Sequence, residues 1–174
     1  MIQLIAQVIG FLALLFVLLS FQKNNRYFIL LFLIIAQILF TIHFGLLGAW
    51  TGAAMNGVAA LRTYIFNQRE SKHWSNNHVW LYLFILLFWI SGIISWKGYF
   101  SLLPILAMTV DSFAVWNKKT SNIRLFMLIP RPLWFVYNFT VGSYAGMITE
   151  VFVLFSIVVG VIRFDVIRSV KEAK

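Results

Sequence analysis

Leu39-Phe40-Thr-Ile42-His43-Phe-Gly-Leu-Leu-Gly48-Ala-Trp50-Thr-Gly52-Ala-Ala-Met-Asn56 is followed 94 positions later by Leu133-Trp134-Phe-Val136-Tyr137-Asn138-Phe-Thr-Val-Gly142-Ser-Tyr144-Ala-Gly146-Met-Ile-Thr-Glu150. Gly48 and Gly52 meet Gly142 and Gly146, and Asn56 meets Glu150. Upstream, Leu39 pairs with Leu133, Phe40 with Trp134, Ile42 with Val136, His43 with Tyr137, and downstream Trp50 pairs with Tyr144. Glycines and polar residues coincide, not only leucines, which makes chance agreement the weaker explanation. A small membrane protein that holds two copies of one unit usually places its working site between them.

Composition puts this chain in the membrane. It is 61% hydrophobic with a mean hydropathy of +0.89, far more apolar than a soluble domain. At 174 residues too much of a soluble fold lies at its surface to hide that apolar content. The expected fold class is an all-α integral membrane protein of one domain. With no cysteine, disulfides, thiol catalysis and cysteine-ligated metals are excluded. Met1–Phe21 lacks basic residues before its apolar run and a small-residue cleavage site before Gln22, so it reads as a first span rather than a signal peptide.

Apolar runs long enough to cross about 30 Å of hydrocarbon fall near 2–21, 27–47, 50–67, 78–96, 99–116, 125–142 and 147–164. Seven spans with the N-terminus outside leave only Lys97 in an outer loop. The inner side then receives Lys23, Arg26, Arg69, Lys72, Lys118, Lys119, Arg124, Arg163, Arg168, Lys171 and Lys174. This bias predicts N-outside, C-inside. It also accounts for the net charge of +9 without nucleic acid, since no soluble face exists to carry a basic patch. The bilayer, with its anionic headgroups, is the expected partner.

A repeat over an odd number of spans has one natural division. Repeat one covers 1–67, a linker helix covers 78–96 and repeat two covers 99–167. The linker inverts the chain, so the two three-helix units are parallel and related by an axis along the membrane normal. Phe21-Gln22-Lys23 and Trp116-Asn117-Lys118 at the ends of the first and fifth spans agree with this division.

Ionisable side chains inside spans each carry an insertion cost of roughly 2.5–3.5 kcal/mol, so each calls for a reason. They are His43, Arg62, Asp111, Arg131 and Glu150, with Gln37, Asn56 and Asn138 adding uncharged polarity. Counting depth along ideal helices places His43, Asn56, Tyr137 and Glu150 in one polar ring in the outer half, with Trp134 and Phe40 beside it. Asp111 and Arg131 share a second, deeper layer and are placed to pair.

Structural explanations compete at every position. Asp111–Arg131 reads first as a buried ion pair joining two spans, and as a gate only if it breaks during a cycle. Arg62 is open between binding an anion, neutralising Glu150 and reaching the inner surface. His43 is equally a proton carrier and a hydrogen-bonded interior histidine. Gly48 and Gly142 suit tight turns, and Gly52 and Gly146 mark the repeat's small-residue packing. Ala49-Ala53-Gly57 suits close helix contact. Pro130 and Pro132 free backbone carbonyls, making a hinge or a packing bend. Glu150 is the sharpest candidate, because an apolar surround penalises a charged carboxylate and ties its proton to the occupancy of the site. No metal-ligand spacing, phosphate loop or nucleophile elbow appears, so neither an enzyme nor a cofactor or metal is expected. Homo-oligomerisation is left open.

His43-Phe-Gly-Leu-Leu-Gly48 with Gly52, Asn56 and Arg62, then Asn138, Gly142-Ser, Gly146, Glu150 and Ile162-Arg163-Phe164, resembles the YgjV-type bacterial inner-membrane family over about residues 5–165. The resemblance implies a multi-pass protein of the inner (cytoplasmic) membrane. The three-plus-one-plus-three plan is also similar to the SWEET, PQ-loop and KDEL-receptor group and to PnuC transporters. That likeness implies substrate contact from the third and seventh spans, here Asn56 and Glu150. Ala36-Gln37 and Pro130-Arg131 stand where an intact Pro-Gln pair would be sought, so sugar specificity does not follow.

The leading expectation is a small-solute transporter in which two bundles rock about Asn56, Glu150, His43, Tyr137, Asn138 and Trp134, with Glu150 as a proton link. A ligand receptor using the same cavity and a structural or assembly protein are the alternatives.

Overall fold

The computed structural model describes residues 1–166, which form eight α-helices and no strand. They are α1 (Ile2–Phe21), α2 (Arg26–Leu46), α3 (Trp50–Asn67), α4 (Val79–Ile94), α5 (Leu102–Trp116), α6 (Thr120–Phe126), α7 (Arg131–Thr140) and α8 (Tyr144–Val161). Arg168, Lys171, Lys174 and residue 167 of the expected second repeat lie outside the described residues.

Local chemistry sets the boundaries. The Asn25 side chain accepts from Tyr27 N and starts α2, and Ser143 Oγ accepts from Gly146 N at the start of α8. Capping by Ser143 starts α8 at Tyr144, three residues earlier than apolarity alone places it. Helices α2 and α7 end in matching turns. Gly48 (φ 67°) and Gly142 (φ 66°) take the left-handed conformation. Ala49 N bonds to Phe44 O and Gly48 N to Gly45 O, as Ser143 N does to Asn138 O and Gly142 N to Phe139 O. These bonds complete a Schellman closure at both sites. No atom lies within 4 Å of a Cβ added at either glycine, so the cost of alanine there is conformational alone. Gly48→Ala and Gly142→Ala are each expected to destabilise by about 1–2 kcal/mol, read as a lower midpoint in thermal unfolding.

The apolar run at 125–142 is not one helix. It breaks into α6 and α7 across Met127–Pro130, because Pro132 has no N–H to continue the ladder. The side chain of Arg131 instead donates from Nε to Met127 O at 2.9 Å, occupying a carbonyl that a continuous helix would have bonded.

Helix α1 packs on α2 and α8, α2 on α3, α3 on α4 and α5, and α7 on α5 and α8. The surface is apolar: Leu4, Val8 and Leu15 on α1, Tyr82, Leu86 and Ile93 on α4, and Phe152 and Phe155 on α8 are exposed. Arg62, Asn138, Asp111 and Glu150 are buried. Apolar residues outside and polar ones within suit lipid as solvent. The segments Ile2–Phe21, Arg26–Leu46, Tyr99–Trp116 and Tyr144–Phe164 are long and apolar enough to span a bilayer, and Val79–Ile94 is apolar but shorter. Helix α3 has spanning length but buries Thr51, Asn56, Arg62 and Thr63, which lowers its apolarity.

One end of the bundle gathers the N-terminal turn, Gly48, Lys97 and Gly142. Lys97 Nζ donates to Gly48 O, and Gln7 bonds to Gly142 O and Ala145 N. The opposite end gathers the basic segments, where Arg26 donates to Asn117 O, Phe66 O and Val115 O, and Arg69 to Asn76 and Trp116 O.

Candidate functional site

Helices α1, α2, α3, α5, α7 and α8 enclose a cavity at the centre of the bundle. Its polar lining is Gln37, Asn56, Asp111, Arg131, Asn138, Thr149 and Glu150, together with the rings of Phe40, Phe44 and Trp134. Water centres can occupy about 70 Å³ of it, room for roughly five waters at about 10–15 Å³ each.

Arg131 organises the charged side. Its Nη2 donates to both oxygens of Asp111 at 3.2 and 3.1 Å, and its Nη1 donates to Glu150 Oε2 at 3.2 Å. The three side chains are about one-tenth exposed or less. A guanidinium forked between two carboxylates is among the stronger polar arrangements available to buried groups. Glu150 Oε1 takes no hydrogen bond among the described residues. Asn56 donates Nδ2 to Gly52 O at 3.0 Å, leaving its own carbonyl oxygen unused. Gln37 Oε1 and Asn138 Oδ1 are buried without a partner.

This arrangement corrects the layering expected from ideal helices. Glu150 does not share a separate ring with His43 and Tyr137; it joins Asp111 and Arg131 in one cluster. The reason is the break before α7. Arg131 stands at the first residue of a ten-residue helix, and Glu150 is six residues beyond the start of α8. At 1.5 Å per residue their backbones differ by about 5 Å in depth, a gap that an arginine side chain bridges.

His43 and Tyr137 do not line the cavity. His43 Nδ1 meets Ala6 O and Nε2 meets Ser143 Oγ, each at 2.7 Å, and Gly52 N donates to Tyr137 Oη at 2.8 Å. Tyr137 packs against Phe44 and Trp134 and faces a second recess at the Gly48 end, formed with Thr51, Lys97 and Ser101. Together these contacts cap the cavity on that side. Arg62 also lies outside the cavity. It is fully buried, donates to Met108 O and Ser112 Oγ, and lies over the Phe88 ring. It forms no ion pair among the described residues, and its Nε and Nη2 have no partner. Gly52 and Gly146 sit against the caps: a Cβ on Gly52 would meet Phe44 at 2.8 Å, and one on Gly146 would meet Asn138 Oδ1 at 2.3 Å. Pro130 and Pro132 bracket the α6–α7 break.

Gln37, Phe44 and Thr149 are among the lining residues absent from the site expected from sequence. The signal was present: Gln37 lies 94 positions before Arg131, and Phe44 lies 94 before Asn138.

Described residues that are helical, with an apolar exterior and an ion-paired Asp111–Arg131–Glu150 cluster inside, are those of a protein of the lipid bilayer. Residues 4–168 match Imp-YgjV, a family of bacterial inner membrane proteins. The chain belongs to that family, and its several apolar helices make it a multi-pass protein of the bacterial inner membrane. No curated protein and no solved structure matches it.

Proposed function

We propose that this protein is a small-solute transporter in which two parallel three-helix units, joined by α4, alternately expose the central cavity. The N-terminal, Gly48 and Gly142 end faces out and the basic end faces in. Glu150, with its free Oε1, is the proton-linked group.

The observation that carries this reading is reciprocity across the cavity. The lining pairs Val17 with Asp111, Gln37 with Arg131, Phe40 with Trp134, Phe44 with Asn138 and Asn56 with Glu150 are each separated by 94 positions. The closures follow the same relation. Tyr137 bonds to the start of α3 while His43, 94 residues earlier, bonds to the residue before α8. At the basic end Arg26 donates to Asn117 O and Arg124 donates to Lys23 O, again with acceptors 94 apart. Helix α1 packs on α8 as α3 packs on α5. Two units that hold each other by equivalent bonds at both ends, around one polar cavity, have the parts alternating access needs: a fixed site and a separable closure on each side.

Spin labels test it, because the chain has no cysteine. One pair replaces exposed Trp50 and Tyr144, the other exposed Asn24 and Lys118. Tyr137→Phe, which weakens one closure, is expected to lengthen the first distance without lengthening the second. Arg26→Gln is expected to do the reverse. Distances that stay single and unchanged in both variants would overturn the transport reading.

A further inference from the structure

We propose that the central cavity takes a small zwitterion, its ammonium held by Glu150, Asn56 and Gln37 and its carboxylate by Arg131. The assignment rests on the transport reading only in taking this cavity as the ligand site.

Charge balance is the first argument. Around the middle of the bundle two arginines, Arg62 and Arg131, are matched in number by two carboxylates, Asp111 and Glu150, while the buried Arg26 and Arg124 belong to its basic end. Arg131 pairs with both acids. That mid-bundle set is therefore neutral when His43 is neutral. A ligand with a net charge would leave one buried charge unmatched, and an uncompensated charge in such surroundings is strongly destabilising. A ligand whose two charges cancel replaces the internal pair charge for charge.

The unused polar atoms point the same way. Glu150 Oε1, Asn56 Oδ1 and the orphaned Gln37 Oε1 are acceptors at the cavity wall. Asn56 is fixed in this sense by its own donation to Gly52 O, so its oxygen faces away from that bond. Three acceptors match the three N–H groups of a primary ammonium. Phe40, Phe44 and Trp134 stack in a row with ring centres 5.9 Å apart and line the same cavity. The Arg131 guanidinium, 3.2 Å from Glu150, is the group in the cavity that matches a carboxylate in geometry and charge. A neutral polyol would supply donors to the amides but leave the ion pairs as they are. The volume limits the ligand to about five or six heavy atoms.

Purified full-length protein is titrated calorimetrically with glycine, alanine and β-alanine, and in parallel with ethylamine, propionate and glycerol. At least one zwitterion is expected to bind tenfold or more tightly than each of the other three. Glu150→Gln and Asn56→Leu, each checked for an unchanged elution profile and helical spectrum, are expected to weaken that zwitterion at least tenfold. Ethylamine, propionate or glycerol binding as tightly as the best zwitterion overturns the proposal. So does retention of zwitterion affinity in both variants, or binding of none of the six. Counterflow in proteoliposomes then separates the two readings. A zwitterion that binds but is never exchanged overturns transport and leaves the ligand assignment. Exchange of glycerol alone overturns the assignment and leaves transport.

Discussion

Arg131→Gln is expected to lower stability by about 3–5 kcal/mol, the usual result of removing one partner from a buried ionic group. In the wild type the guanidinium holds Asp111 and Glu150 together at 3.1 and 3.2 Å and also takes Met127 O at the break before α7. Glutamine leaves two buried carboxylates facing each other, with one neutral amide in place of the cation. It also releases Met127 O, which has lost its helical partner at the break because Arg131 N bonds to Leu128 O instead. The expected reading is a fall of roughly ten degrees in the unfolding midpoint, taking about 2–4 °C per kcal/mol for a chain of this size. The triple variant Asp111→Asn, Arg131→Gln, Glu150→Gln removes every charge together and should recover most of the loss, since a neutral set of similar volume leaves no unpaired ion. A single variant as stable as the wild type would show that the cluster is open to water. It would then not be the buried, ligand-exchangeable pair on which the site depends.

Gly146→Ala is the second large effect, because the space at Gly146 is already filled by polar atoms. An added Cβ lies 2.3 Å from Asn138 Oδ1, 2.4 Å from Ser143 Oγ and 2.5 Å from Asn138 Cγ. Ser143 Oγ cannot yield freely: it caps α8 at Gly146 N and bonds His43 Nε2 at 2.7 Å. The methyl group therefore disturbs a cavity residue, a helix start and one of the closures at once. A cost at the upper end of the about 1–3 kcal/mol typical of overpacking is expected. Gly57→Ala is the matched control, since its nearest neighbour would be Thr41 at 3.7 Å, and it should be neutral or slightly stabilising in the helix. Thermal unfolding of the two variants side by side checks the contrast. Equal midpoints would mean that Asn138 and Ser143 move aside without penalty.

Features set by local chemistry are readable from sequence alone. Gly48 and Gly142 point to tight turns, the apolar runs to helices, and Asp111 with Arg131 to a pair. The placement of Glu150 was not readable, because it depends on where α7 begins. Two prolines signal a break without fixing its position, and the few ångströms it adds decide whether Arg131 reaches Glu150. His43 and Tyr137 were marked by their matching positions. Their partners, Ser143 and Gly52, are 100 and 85 residues away and follow only from how the two halves dock. Gln37 was legible in principle through its offset from Arg131, but an uncharged amide among leucines draws less notice than an ion. Arg62 remained open among three roles because helix periodicity does not say which side of α5 it meets. The fold turns it towards Met108, Ser112 and Phe88 instead of the cavity.

Two-sided chemical access to the cavity tests alternating exposure most directly. Thr149 lines the cavity, and Thr149→Cys supplies the only thiol in the chain. A small membrane-impermeant methanethiosulfonate is added to right-side-out and to inverted vesicles containing this variant. Alternating exposure predicts modification from both faces, faster from the Gly48 face in Tyr137→Phe and from the basic face in Arg26→Gln. Modification from one face only, or from neither, in all three proteins would contradict it.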